Sequence, residues 1–111
     1  MQAWTPWMPI PLPHDFKRSI AGPEEAGVYQ VRDRRTGELI LFGISGTVKK
    51  RLKSLMPAPY GSGTRKNGGK RAYVLAHYAD LDYRTLATPT RADAADVERQ
   101  LKDDRNHRFN T

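Results

Sequence analysis

Residues 27–56 read GVYQVRDRRTGELILFGISGTVKKRLKSLM, two apolar runs joined by a polar turn and followed by a basic segment. The first run, near 28–32, alternates as a half-buried strand does, and the second, at 39–44, is more continuously apolar. The turn between them ends at Gly37, a residue type that takes a positive φ without steric cost. This pattern predicts a β-hairpin.

A basic amphipathic helix is expected over residues 47–56. Val48, Leu52 and Leu55 fall on one helical face, and prolines follow the segment directly. Ser45 is the candidate N-cap, because its side chain can accept a hydrogen bond from a backbone N–H of the first turn.

The rest of the chain predicts three further elements, a short helix at 70–78, a strand at 82–88 and a helix at 91–104. Thr90 is placed to cap the last helix, and its apolar stripe consists of Ala94, Val97 and Leu101. The order β-β-α-(α)-β-α predicts an α+β fold, in which a small three-stranded antiparallel-type sheet is flanked by helices.

Residues 1–26 are rich in proline and follow neither the helix nor the strand period. We interpret them as an N-terminal arm and residues 27–111 as one folded domain. Trp4, Trp7 and Ile10 are apolar enough to dock the arm on the domain. The arm lacks the layout of a signal peptide, and no segment reaches the ~20 apolar residues of a membrane span. We therefore expect a cytoplasmic protein with no membrane partner.

The composition points to an anionic partner. The 111-residue chain has a net charge of +7 and no cysteine, which excludes disulfide scaffolds, thiolate metal sites and cysteine nucleophiles. Between Leu39 and Ala79 there is no Asp or Glu. The basic residues of that stretch are Lys49, Lys50, Arg51, Lys53, Arg65, Lys66, Lys70 and Arg71. Such segregation predicts one positive face suited to nucleic acid phosphates.

Two motifs in the hairpin resemble those of the GIY-YIG nuclease superfamily. Gly27-Val28-Tyr29 is similar to the GIY signature, and Leu41-Phe42-Gly43 stands where that family has YIG, with Leu41 in place of the second tyrosine. Arg51 is similar to the family's helix arginine, Glu98 to its metal-binding glutamate and Asn110 to its terminal asparagine. The resemblance covers about residues 20–111.

The resemblance implies a metal-dependent endonuclease. In such an enzyme Glu98 binds one Mg²⁺ or Mn²⁺, and Arg51 contacts phosphate oxygens. Tyr29 orients or deprotonates the attacking water, and Asn110 holds the geometry at the edge of the site. Since a free tyrosine has a pKa near 10, Tyr29 can act as a base only if neighbouring cations favour its phenolate.

The expected substrate is nucleic acid, with DNA favoured over RNA. Contacts to the phosphate backbone are assigned to Lys49, Lys50, Lys53, Arg65, Lys66, Lys70 and Arg71. We expect Lys66, Lys70 and Arg71 to make nonspecific contacts rather than catalytic ones. Leu41 removes one hydroxyl from the site, and Ser45 and Tyr60 are the nearest replacements in sequence.

Two other interpretations stay open. The first is a nonenzymatic nucleic-acid-binding module of the same fold, whose chemistry is lost with the Leu41 change. The second is an RNA-associated α+β protein unrelated to nucleases, which requires aromatic side chains on an exposed sheet face. Taken singly, Tyr29 also fits a core aromatic, and Glu98 fits an i,i+4 ion-pair partner of Lys102.

Overall fold

The predicted hairpin forms the middle of the sheet in the computed structural model, which describes residues 4–58, 60–62 and 68–109. The strands are β1 (Met8–Pro9), β2 (Gly27–Asp33), β3 (Leu39–Ser45) and β4 (Leu81–Ala87), all antiparallel, in the order β1-β4-β2-β3. Three of them lie within about a residue of the predicted ranges. β3 therefore occupies one edge of the sheet.

Four α-helices within the described ranges accompany the sheet, and the α+β class is confirmed. They are α1 (Phe16–Ser19), α2 (Val48–Leu52), α3 (Gly68–His77) and α4 (Arg91–Asp104). α2 is shorter than predicted because its last turn, Lys53–Leu55, tightens into a 3-10 helix ahead of Pro57. Thr90 caps α4 as predicted, in a reciprocal capping box with Asp93.

The N-cap expected at Ser45 is not formed. The N-cap residue of α2 is Thr47, and no side chain caps it by a hydrogen bond. The Ser45 hydroxyl instead accepts a hydrogen bond from the Thr47 N–H at 3.0 Å, one step before the helix. Ser45 thus organises the entry into α2 without capping it.

Both faces of the sheet are covered in the described part of the chain. On one face, Tyr29, Val31 and Leu41 pack in a core with Leu52 and Val74 from the helices. On the other face, a smaller cluster contains Val28 and Leu86 packed against the stripe of α4, which is Ala94, Val97 and Leu101. Phe42 and Tyr83 are buried as well, so the described sheet offers no aromatic stacking face of the kind an RNA-associated protein needs.

The N-terminal arm supplies the fourth strand, which the sequence did not predict. Met8 and Pro9 pair with Tyr83 and Asp82, and proline is tolerated there because β1 is an edge strand. Further along the arm, three buried apolar side chains enter the main core, those of Ile10, Phe16 and Ile20. The described residues of the arm thus share the core of the domain.

A polar network lies on the sheet between the arm and the end of the chain. The Arg84 Nε donates to the Gln30 side-chain carbonyl at 2.8 Å, and the Gln30 amide nitrogen lies 2.9 Å from His107 Nε2. The amide can only donate, so a neutral His107 carries its proton on Nδ1. The segment that follows His107 bonds to the edge of β3 through Arg108 and Phe109, whose N–H groups donate to the carbonyls of residues 39 and 40. That end of the β3 edge is therefore covered.

In the described ranges, no helix is both long enough and apolar enough to span a bilayer.

Replacing Phe16 by alanine tests whether the arm belongs to the core. Phe16 is fully buried, and such a truncation should lower the free energy of unfolding by about 3–5 kcal/mol. Leu12→Ala is the matched control, because Leu12 is 50% exposed and its loss should cost less than about 0.5 kcal/mol. Urea midpoints of the two variants measure the difference, and equal midpoints would contradict a packed arm.

Candidate active site

A pocket of about 310 Å³ opens beside β3, the edge strand of the sheet. Its wall combines residues of β2, β3, α2, α3 and α4. The polar side chains on that wall include Tyr29, Arg51, Ser54, Lys70, Arg71 and Glu98. Because the elements come from distant parts of the chain, the pocket exists only in the folded protein.

Three of the predicted catalytic residues meet in this pocket. Tyr29, Arg51 and Glu98 are separated by 22 and 47 positions in the sequence, and all three line the same wall. Their convergence was the geometric expectation from the order of the motifs, whereas their catalytic roles stay predictions. Asn110, Arg65 and Lys66 lie outside the described residues.

Tyr29 is held in place by the strand opposite. It pairs with Gly43 across β2 and β3, and it is 5% exposed. A Cβ on Gly43 would overlap the ring and hydroxyl of Tyr29, so the tyrosine lies directly over the glycine backbone. In this position the Tyr29 phenol lies on the same pocket wall as the Arg51 guanidinium, whose positive charge acts on it. Glycine in the second motif is thus required by the tyrosine of the first.

The environment of Tyr29 disfavours its phenolate. Burial raises the pKa of the Tyr29 phenol, and the positive charges of Arg51 and Arg71 offset this only in part. The condition set for Tyr29 as a general base, that neighbouring cations favour the phenolate, is therefore not met in the protein alone. At neutral pH the group is a phenol that can orient a ligand through hydrogen bonds.

Arg71 is placed differently from the peripheral contact that we expected. It is 6% exposed and lines the pocket, and its Nε donates to the Ser54 carbonyl at 2.8 Å. Burial lowers the pKa of the Arg71 guanidinium, and the nearby Arg51 charge lowers it further. Arg71 lies on the wall rather than on an outer rim because it shares a helical face with the fully buried Val74.

The lysines divide between the pocket and the outer surface. Lys70 is half-buried on the pocket wall, and burial together with the Arg51 charge lowers the pKa of its ammonium group. Lys49 and Lys50 are exposed on α2, where Lys49 lies 3.4 Å from Glu24, and Lys53 is partly buried in the next turn. These three lysines do not line the pocket. They form a flank of positive charge on the α2 side.

Among the described residues of the pocket wall, Glu98 is the one carboxylate. Its side chain is 25% exposed, and its Oε1 lies 3.6 Å from Lys102 Nζ, so the i,i+4 pair is present as well. The part of the chain that the structure describes has no cluster of three or more His, Asp or Glu side chains able to hold a metal. A divalent ion would fit here with Glu98 as its protein ligand and with water and phosphate oxygens as the others, a pattern that Mg²⁺ accepts.

Two features of the wall were not foreseen from the sequence. Neither Ser45 nor Tyr60, the expected replacement hydroxyls, lines the pocket, whereas Ser54 does and donates to the Arg51 carbonyl at 2.6 Å. Arg91, the first residue of α4, also lines it. Its spacing of two helical turns from Glu98 is a signal that could have identified it.

No protein-family model matches this chain, and a search of curated proteins finds no significant match. The resemblance to GIY-YIG nucleases therefore rests on the order of the motifs.

Gly43→Ala tests the contact between the two motifs. The added methyl group would displace the Tyr29 ring from a packed position, and we expect a decrease of about 1–3 kcal/mol in the free energy of unfolding. Gly46→Ala is the control, since no atom of the described residues lies within 4 Å of a Cβ there. Urea denaturation gives both values, and equal stability of the two variants would refute the contact.

Proposed function

We propose that this protein hydrolyses phosphodiester bonds in nucleic acid, with DNA favoured, as a small metal-dependent endonuclease of the GIY-YIG type acting in the cytoplasm. The observation that carries the proposal is the meeting of Tyr29, Arg51 and Glu98 in one pocket. The three residues come from a strand and two separate helices. They are also the three described residues that the motif resemblance assigns to chemistry.

The charge of the pocket supports an anionic ligand. Its described wall carries the side chains of Arg51, Lys70, Arg71 and Arg91 but a single carboxylate, that of Glu98. Like charges brought together in a partly buried site are costly unless an anion compensates them. Arginine forks match the geometry of phosphate oxygens, which favours a phosphate group over a simple carboxylate ligand.

The proposed reaction is an in-line displacement at phosphorus. A water oxygen forms a new bond to phosphorus while one ester P–O bond breaks. The water releases one proton to solvent, and the leaving oxygen takes up one proton from solvent to become a hydroxyl. Arg51 would neutralise charge on the phosphoryl oxygens. A divalent ion bound at Glu98 would add charge relief and make water more acidic.

In this reaction Tyr29 orients the attacking water rather than deprotonating it. Its phenol keeps its proton at neutral pH because burial raises its pKa, and its packing over Gly43 holds the ring in place. The phenol O–H can then donate to the water or to a phosphate oxygen. Asn110 keeps the role that the resemblance implies for it.

Leu41 favours a second candidate function, a nucleic-acid-binding module without turnover. Leu41 is fully buried and lines the pocket, so an apolar wall stands where the family has a hydroxyl. The same cationic pocket would still bind phosphate. Cleavage assays distinguish the two candidates directly.

Incubation of supercoiled plasmid with the purified protein should give nicked product in Mg²⁺ or Mn²⁺ and none in EDTA. Glu98→Gln should abolish nicking and keep binding, because it removes the charged metal ligand and preserves the shape of the side chain. Asp96→Asn is the matched control on the same helix, with a side chain that is 68% exposed. Binding without nicking by the wild-type protein would favour the module; equal nicking by Glu98→Gln would reveal a contaminant.

The lysines of α2 should make affinity depend on salt. Each phosphate contact contributes a slope of about −0.7 to −0.9 to a plot of log affinity against log salt, so Lys50→Ala should reduce the slope by that amount. Arg35→Ala is the charge-matched control, because Arg35 is 63% exposed in the hairpin turn, at the far end of two seven-residue strands from α2. Fluorescence anisotropy with labelled DNA measures both slopes. Equal slopes for Lys50→Ala and the wild-type protein would exclude Lys50 from the interface.

A further inference from the structure

Arg71 is charged and yet 6% exposed, which is a costly position for a guanidinium. Its Nε donates to the Ser54 carbonyl at 2.8 Å, which holds the guanidinium on the pocket wall. Arg51 lines the same wall, so two guanidinium groups face one pocket. A second cation beside the first, on the wall of one pocket, is an arrangement that an anion would stabilise.

The turn at Ser54 bonds to the backbone of one arginine and to the side chain of the other. Ser54 donates its hydroxyl to the Arg51 carbonyl at 2.6 Å and accepts from Arg71 Nε through its own carbonyl. Anchoring through Nε fixes the plane of the Arg71 guanidinium relative to the helix that carries Arg51. Both side chains line the same pocket as the Tyr29 phenol.

The wall beside these arginines carries an apolar side chain, Leu41, where the motif resemblance has a tyrosine. Leu41 lines the pocket without offering a polar group to the substrate. Phosphoryl transfer depends on charge relief at the non-bridging oxygens, which arginine guanidinium groups can supply. A second guanidinium supplies more donors than a tyrosine hydroxyl does.

We infer that Arg71 is a second phosphate-binding arginine, which contacts a non-bridging oxygen of the reacting phosphate and supplies the hydrogen-bond donor that Leu41 cannot offer. The inference rests on the proposed function for its catalytic part, and on the pocket alone for its binding part. The competing role is purely structural, a brace that holds the turn at Ser54. The two roles predict different results when phosphate binds in the pocket, because only a phosphate-binding Arg71 gains a contact with the anion.

The first test uses the wild-type protein without metal and titrates it with inorganic phosphate. In ¹⁵N NMR spectra the Arg71 Nε–H signal should shift together with that of Arg51, because both guanidinium groups gain an anionic acceptor. The Arg99 signal should not move, since that side chain is 71% exposed on the outer side of α4 and lies beside Asp96. A shift at Arg51 with none at Arg71 would overturn the inference, and no variant has to fold for this result.

The second test compares Arg71→Lys with Arg99→Lys as its matched control. Lysine keeps the charge and lacks the planar fork. Phosphate affinity should fall roughly 10- to 100-fold in Arg71→Lys, as expected when hydrogen bonds to a charged group are removed. The plasmid cleavage rate should fall by about 10²-fold or more, by analogy with removal of one oxyanion donor. Arg99→Lys should match the wild-type protein in both measurements.

Adding Leu41→Tyr to Arg71→Lys distinguishes the phosphate-binding role of Arg71 from a purely structural one. A tyrosine hydroxyl on that wall should recover part of the cleavage rate if both groups serve the same phosphate, whereas it cannot repair a broken brace. Wild-type affinity and rate in Arg71→Lys would overturn the inference while leaving the nuclease proposal intact. Phosphate binding through Arg71 in a protein that never cleaves would refute the nuclease and keep the binding site. A protein that neither cleaves nucleic acid nor binds phosphate through Arg71 would refute the nuclease proposal and the Arg71 inference together.

Discussion

The contact of Tyr29 with the backbone of Gly43 joins the core of this protein to its pocket. The tyrosine ring belongs to the main core, and the same side chain lines the pocket together with Arg51. That geometry exists because β2 and β3 pair in the register that sets the tyrosine opposite a residue with no side chain. A one-residue slip would turn the tyrosine to the other face of the sheet. Hairpin register, core packing and site geometry therefore depend on one another.

The parts of the fold that were predictable from the sequence are those with a strong local period or cap. The hairpin, α4 and the capping box of Thr90 depend on neighbours within a few positions, so the residues themselves carry the signal. Strand β1 is different. It comprises only Met8 and Pro9, and it is defined by pairing with β4, more than seventy positions away. No local pattern indicates such a strand.

The candidate site was predictable to the extent that its motifs follow one another in order. That order anticipated the meeting of Tyr29, Arg51 and Glu98, but it could not reveal which other residues complete the wall. A basic residue in a polar segment is ordinarily solvated, so the burial of Arg71 becomes visible only when α3 is packed against the turn that carries Ser54. Replacement hydroxyls were sought by proximity in sequence, whereas the fold decides proximity in space.

The way the arm is attached has a practical consequence for spectroscopy. The chain has two tryptophans, Trp4 and Trp7, and both lie in the arm with the Arg84 guanidinium 4.4 Å and 4.5 Å from their rings. Neither ring lines the pocket. The tryptophan fluorescence of this protein therefore reports on how the arm docks on the sheet around Trp4 and Trp7. Excitation at the red edge of the absorption band selects tryptophan, so the five tyrosines elsewhere in the chain do not contribute to the signal.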